Sequence, residues 1–376
     1  MIKDSKRCVG IDASRAISVA PTGTEGYSYH LIRTLLPHLL PEYQVRLYAR
    51  QPLPPEAFPG AEARAITTPR LWTHLGLSWE MARQPADLLF VPAHVLPLVR
   101  PRHTLVTVHD VGYRFFPDAH PVGQRLYLAL STRWNATVAS HVLADSNATQ
   151  DALVEAYGIS RDKITVVYPG YDAALRPVRA ARNPERLHAV RARYGLAEGP
   201  YVLSLGRIQP RKNLVRLIKA FDQISAHHPT LQLVLAGPMG WQASPIREHV
   251  AALGLQGRVL FPGYVAEEDK AALISGAVVF AFPSLYEGFG FPVLEAQACD
   301  VPVLTSTTSS LPEIAGDGAL LVDPMDTSAI AQGLLRLLTD ADLRQSQIFY
   351  GRSNLERFSW QKTAHRVHAL IEQLLS

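Results

Sequence analysis

Short apolar runs recur along the chain, each ended by polar or Gly/Pro residues and separated from the next by a segment of helical periodicity. They fall at 8–11, 45–48, 88–91, 105–108, 142–144 and 164–167, and again at 201–205, 231–236, 259–261, 278–282, 301–304 and 320–322. Runs this short and continuously apolar read as strands covered on both faces, and the helical segments between them, such as 214–227 and 330–338, read as the covering of a parallel sheet. Two such series predict an α/β protein of two doubly wound domains in tandem. A length of 376 residues suits that division, since one hydrophobic core rarely serves so long a chain. Residues 172–200, rich in Ala, Arg and Pro and without a strand pattern, are the expected linker. Ligands of such sheets sit beyond the carboxyl ends of the strands, so the two domains are expected to face each other across a cleft. The last segment, 360–375, carries Val367, Leu370, Ile371, Leu374 and Leu375 at helical spacing, which reads as a surface helix.

Charge excludes little. Lys and Arg number 37 against 33 Asp and Glu, and residues 1–175 hold 17 against 15 of them, so both halves are weakly basic and no basic arm points to nucleic acid. The mean hydropathy of +0.02 is that of ordinary globular material. Cys8 and Cys299 lie in an apolar strand and a helix, as buried thiols of a reducing cytosol would, and two cysteines so placed exclude a cysteine metal site. The N-terminus from Met1 to Arg7 is polar, and no run of about 18 apolar residues occurs. A cytoplasmic protein is expected, with peripheral attachment to the inner membrane face left open.

The stretch Pro283-Ser284-Leu285-Tyr286-Glu287-Gly288-Phe289-Gly290-Phe291-Pro292-Val293-Leu294-Glu295-Ala296 follows a strand run directly and reads as strand, glycine loop, helix. Pro292 suits the start of a helix, where its missing N–H costs nothing, and the free N–H groups of such a start suit an anion or an oxygen-rich ligand. Glu287 and Glu295 bracket the loop, and a carboxylate can accept hydrogen bonds from two sugar hydroxyls at once. Alone, Glu295 reads as well as a helix-dipole residue and Glu287 as a solvated loop charge. A second cluster, Gly206-Arg207-Ile208-Gln209-Pro210-Arg211-Lys212-Asn213, follows the run 201–205. Arg207 and Lys212 there form the cation pair that a diphosphate leaving group calls for, although any such loop carries surface Arg and Lys.

Together these segments resemble retaining glycosyltransferase family 4, the group-1 glycosyltransferases: the two-glutamate motif matches Glu287 to Glu295, and the Gly-Arg…Lys-Asn segment matches Gly206, Arg207, Lys212 and Asn213. Weaker matches run along nearly the whole chain, at Thr107-Val108-His109-Asp110, Ala144-Asp145-Ser146-Asn147-Ala148-Thr149, Tyr168-Pro169-Gly170-Tyr171-Asp172, Phe261-Pro262-Gly263-Tyr264-Val265 and Phe358-Ser359-Trp360. The resemblance implies a GT-B fold with an acceptor-side domain over 1–175, a donor domain over 176–359, and a terminal helix over 360–376 that crosses back to the first domain. It implies that Arg207 and Lys212 hold the donor diphosphate, Glu295 the ribose, and Glu287 with Gly288, Phe289, Gly290 and Phe291 the transferred sugar. His109 would lie at the reacting sugar, and Tyr264 and Val265 beside the nucleobase. The loop Pro21-Thr22-Gly23-Thr24-Glu25-Gly26-Tyr27 keeps Gly23 and Tyr27 of an acceptor-side pattern but has Glu25 and Gly26 where Gly and Arg are expected, which puts the acceptor chemistry in question.

What the resemblance implies chemically is hexosyl transfer with retention from a nucleoside-diphosphate sugar, by attack on the face from which the diphosphate leaves, without a metal or other cofactor. GDP-mannose is the first choice of donor, from the similarity of Arg114-Phe115-Phe116-Pro117 to a mannosyltransferase branch, and UDP-glucose the second. A glycan or lipid-linked acceptor follows. A non-hydrolysing nucleotide-sugar epimerase or a non-catalytic sugar-nucleotide binding module could use the same fold. A Rossmann dehydrogenase is disfavoured, because Val293 stands where the third glycine of Gly-x-Gly-x-x-Gly belongs.

Overall fold

The protein is described by a computed structural model covering residues 6–17, 23–68, 70–93, 95–117, 121–179, 181–240 and 243–376. Thirteen strands form among these residues: β1 (Cys8–Asp12), β2 (Gln44–Ala49), β3 (Glu62–Ala65), β4 (Leu88–Val91), β5 (His103–Val108), β6 (His141–Ala144), β7 (Ile164–Val166), β8 (Tyr201–Leu205), β9 (Gln232–Ala236), β10 (Val259–Gly263), β11 (Val279–Phe282), β12 (Val303–Ser306) and β13 (Leu320–Val322). They make two all-parallel sheets, ordered β3-β2-β1-β4-β5-β6-β7 and β10-β9-β8-β11-β12-β13. Both are the doubly wound α/β sheets expected of the sequence.

Two compact units result. One comprises residues 1–114, 122–170 and 358–376, the other 115–121 and 171–357. In the second unit the two-faced burial of a parallel sheet is visible on single strands: Leu233 and Leu235 of β9 enter one apolar cluster, Val234 and Ala236 the opposite one. Each leucine or valine of this kind, fully buried, contributes about 1.5–3 kcal/mol. In the first unit the helix Trp360–Leu375 packs on the helix Gly23–Leu39, and Gly170 makes that return possible, since a Cβ there would stand 2.3 Å from the backbone nitrogen of Trp360.

The segment 172–200, expected as plain linker, contains the helix Pro184–Arg193. Its only buried residue is Val190, so it carries almost none of the apolar periodicity by which a helix is recognised. Strand β3 was likewise absent from the expected series, because an edge strand reading Glu-Ala-Arg-Ala has no apolar run.

Candidate functional site: the loops beyond β8 and β11

In each sheet the winding reverses beside one strand, and the chain there leaves in opposite directions to open a crevice. In the second unit that point lies between β8 and β11, which are paired neighbours. Gly206 and Arg207 follow β8, and the glycine loop follows β11, so both sequence clusters emerge at the same crevice.

The loops are held by their own backbone and by small hydroxyls. Asn213, in the left-handed region at φ 60°, donates from Nδ2 to the carbonyls of Pro283 (3.0 Å) and Pro324 (2.6 Å). Leu285 N donates to Arg211 O at 2.9 Å. From the loop after β12, Ser309 Oγ accepts from Glu287 N at 2.9 Å, while Ser310 Oγ donates to the carbonyls of Glu287 (3.0 Å) and Phe289 (2.6 Å). Gly290 sits at φ 121°, a conformation open to glycine, immediately before the helix Phe291–Ala298.

Glu287 is the centre of this arrangement. It is buried, and its two oxygens take two cations: Lys212 Nζ at 2.7 Å on Oε1 and Arg211 Nη1 at 3.0 Å on Oε2. Arg211 also donates to Tyr286 O at 2.6 Å. Burial works to raise the Glu287 pKa, but the charges of Arg211 and Lys212 outweigh it and hold the carboxyl below its ordinary value. Lys212 Nζ lies 4.5 Å from the centre of the Phe282 ring, and a Cβ at Gly206 would stand 3.9 Å from the same nitrogen. One carboxylate against two cations leaves the group with a net positive charge.

The structure thus brings together Gly206, Lys212, Glu287, Gly288, Phe289 and Gly290, with Phe289 edge-on to Phe291 at 4.9 Å. Arg207 is exposed and has no hydrogen bond or ion pair with a described residue; its side chain runs past Gly240, where a Cβ would meet its Cγ at 2.9 Å. Glu295 accepts from Lys270 Nζ at 3.1 Å, and Glu267 shares that lysine at 2.9 Å; burial works against the Lys270 charge, but the two glutamates raise its pKa well above the ordinary value. Tyr264 is exposed, whereas the Val265 side chain is buried in the apolar core, which leaves its backbone as the part a ligand could meet.

In the first unit, His109 follows β5 and both its ring nitrogens are engaged: Nδ1 with Asp145 Oδ2 at 2.6 Å and Nε2 with Pro92 O at 3.0 Å. A carbonyl only accepts, so Nε2 carries a proton. Burial lowers the His109 pKa, but the Asp145 carboxylate overrides it and the net direction is upward. Pro21 and Thr22 lie outside the described residues, and Gly23 and Tyr27, expected in a loop, are in the helix Gly23–Leu39. Tyr27 is fully buried, edge-on to His109 at 4.8 Å and 3.2 Å from Thr107 Oγ1, so it supports the histidine rather than presenting a surface to an acceptor.

Arg211, Lys270, Asp145, Ser309 and Ser310 were not anticipated in these roles. Asp145 lies within the motif 144–149 and Arg211 beside Lys212, but nothing in the sequence says that both adjacent cations turn to the same carboxylate.

Comparison with known proteins adds the following. Residues 189–354 match the family described as Glycosyl transferases group 1, and residues 23–175 match Glycosyltransferase Family 4. The O-antigen chain mannosyltransferase B of Escherichia coli is 31% identical over 263 residues, 70% of this chain and 68% of that protein. A D-inositol 3-phosphate glycosyltransferase of Salinispora arenicola is 32% identical over 293 residues, 74% of this chain but 63% of its own length. Among solved structures, a sucrose-phosphate synthase from Thermosynechococcus elongatus superposes with a TM-score of 0.77 at 23% identity, covering 98% of this chain and 99% of its own. Anabaena HepE in complex with UDP-glucose gives 0.75 at 20% identity, over 98% of this chain and 100% of its own. These two likenesses are likenesses of fold, and the fold is GT-B.

Proposed function

We propose, from the premise that this chain belongs to the group-1 glycosyl transferases, that it moves a hexose from a nucleoside-diphosphate sugar to a hydroxyl of a glycan or lipid-linked acceptor, with retention and without a metal. The observation that carries the reading is the buried Glu287 with Arg211 and Lys212, a positive group set against a glycine loop and a helix start at the switch point of the second sheet.

Lys212 and the exposed Arg207 hold the diphosphate, and the positive end of the dipole of the helix Phe291–Ala298 adds to the field that favours an anion there. Glu287 fixes Lys212 at 2.7 Å before the donor arrives and presents its remaining lone pairs to sugar hydroxyls. Glu295, fifth in the same helix, takes the ribose diol with Lys270 behind it. As the bond from C1 of the sugar to the phosphate oxygen breaks, the electron pair leaves with the diphosphate. The acceptor oxygen bonds to C1 on the same face, and its proton passes to the departing phosphate oxygen. The clamp stabilises the charge that grows on the leaving group. His109 has both ring nitrogens engaged, with Nε2 protonated and given to Pro92, so it is not set to remove a proton.

A mannosyltransferase among the relatives supports GDP-mannose as the first donor to try, and a neighbour solved with UDP-glucose supports the second. The test is a thermal-shift screen of nucleotide sugars, followed by proton NMR of the product formed with a hydroxyl acceptor. Stabilisation by one donor and a product with the donor's anomeric configuration are expected. An inverted product, or a new nucleotide sugar formed without acceptor, contradicts the proposal.

A further inference from the structure

Among the described residues no helix is long and apolar enough to cross a membrane. The first unit nevertheless carries an apolar surface that folding leaves uncovered. The helix Val122–Val138 packs Leu128, Ala129, Trp134 and Val138 on the core and buries Ser131, Thr132, Asn135 and Ala136, yet its outer face is apolar as well: Val122 (71% exposed), Leu126 (59%), Tyr127 and Leu130 (61%) face out. A surface helix in water ordinarily turns a polar face outward. The neighbouring helical segment Trp72–Leu77, which continues into Ser78–Arg83, exposes Leu75 and Trp79 one turn apart, with Leu71 just before them.

Residues 95–100 join these two helices into one surface. The backbone nitrogens of Leu98 and Val99 donate to Ser78 Oγ at 3.0 and 3.3 Å, Leu96 N donates to Asn135 Oδ1 at 2.8 Å, and Trp134 Nε1 donates to Leu96 O at 3.2 Å. Leu98 and Val99 are themselves exposed. Scattered apolar side chains on a surface need no explanation, but a connected set of this size does.

Charge decides what covers it. The segments 66–83, 95–102 and 121–138 contain six arginines and one carboxylate, Glu80, whose Oε1 is buried. Arg83 lies over the Trp79 ring and Arg100 over the Trp134 ring, at the edges of the apolar surface. A symmetric dimer through this surface would set it against itself and face arginines with arginines. An anionic bilayer offers acyl chains to the leucines and the tryptophan and phosphates to the arginines. The segments 66–83 and 95–102 also leave β3 and β4 at the carboxyl end of the sheet, the end at which His109 leaves β5.

We propose that this surface docks the protein on a bilayer containing anionic phospholipid, by shallow insertion of its apolar side chains beneath an arginine rim. The proposal goes beyond the transfer reaction and is read by partition, not turnover, so the two can fail separately.

The test is flotation of the full chain with vesicles of phosphatidylcholine alone and vesicles also containing phosphatidylglycerol. The wild-type chain should float only with the anionic vesicles and be released by salt. Leu126→Glu with Leu130→Glu should abolish flotation, and Trp79→Ala, which introduces no charge, should weaken it several-fold. Arg125→Ala and Arg133→Ala should each weaken it about fivefold. Thermal melts check folding, and sedimentation velocity checks self-association. Absence of wild-type flotation on anionic vesicles overturns the proposal, as does unchanged flotation of the folded variants. A dimer that only the patch variants dissolve assigns the surface to a second copy instead.

Discussion

Glu287 shows how a charged residue can be both structural and poised for function. Buried between Arg211 and Lys212, it has its pKa depressed, so its contribution to stability is present above the unfolded carboxyl value of about 4.3 and is lost as pH falls through the folded value. Glu287→Gln should therefore cost about 2 kcal/mol at pH 7, because two partly buried cations lose their partner, and the difference from wild type should shrink below about pH 4. Thermal melts of both proteins across that range check the sign. A difference that grew on acidification would mean that Glu287 folds with a raised pKa. Arg211→Ala separates the two uses of the neighbouring cations: it removes the contacts to Glu287 and Tyr286 O but leaves Lys212, so loss of stability should exceed loss of nucleotide affinity. Calorimetric titration with GDP and UDP beside a thermal melt measures both. In sequence Arg207 and Lys212 read as a pair suited to diphosphate, while the contact of Arg211 with Glu287 was not legible, since its partner lies on a loop 76 residues away.

At the scale of elements, strands covered on both faces were readable, because continuous apolar runs such as those of β4 and β11 carry the signal in their composition. β3 and the helix Pro184–Arg193 escaped for the opposite reason, each burying too little to leave a pattern. The glycine loop was readable as strand, loop and helix, but its brace of Ser309 and Ser310 was not, because hydroxyls that satisfy a carbonyl twenty residues off have no local signature. Gly237 tests how much of the crevice depends on backbone. It sits at φ 133°, and an added Cβ would stand 2.0 Å from the carbonyl oxygen of Gly206. Gly237→Ala should lose well over about 1 kcal/mol, since strain and clash act together. Gly26→Ala, in a helix with nothing within 4 Å of the new Cβ, should gain about 0.5–1 kcal/mol. Denaturant melts of the two variants check both signs, and a neutral Gly237→Ala would mean the strand end can shift away from Gly206.

For the whole molecule, the rhythm of apolar runs and two clusters of motif residues were enough to reach the family, which the matches over 23–175 and 189–354 then showed. The proposed mechanism rests on side chains and a helix N-terminus neutralising a diphosphate. Turnover should accordingly survive EDTA; abolition by the chelator with recovery on adding Mg²⁺ would remove the clamp from its assigned role. More direct is turnover at saturating donor for Arg207→Ala, Lys212→Ala and the double variant, with folding checked by melt. If both cations act on one leaving group whose charge grows toward the transition state, each single variant should lose rate more than donor affinity, and the two losses should couple and not add. Wild-type-like rates in all three variants would contradict the account.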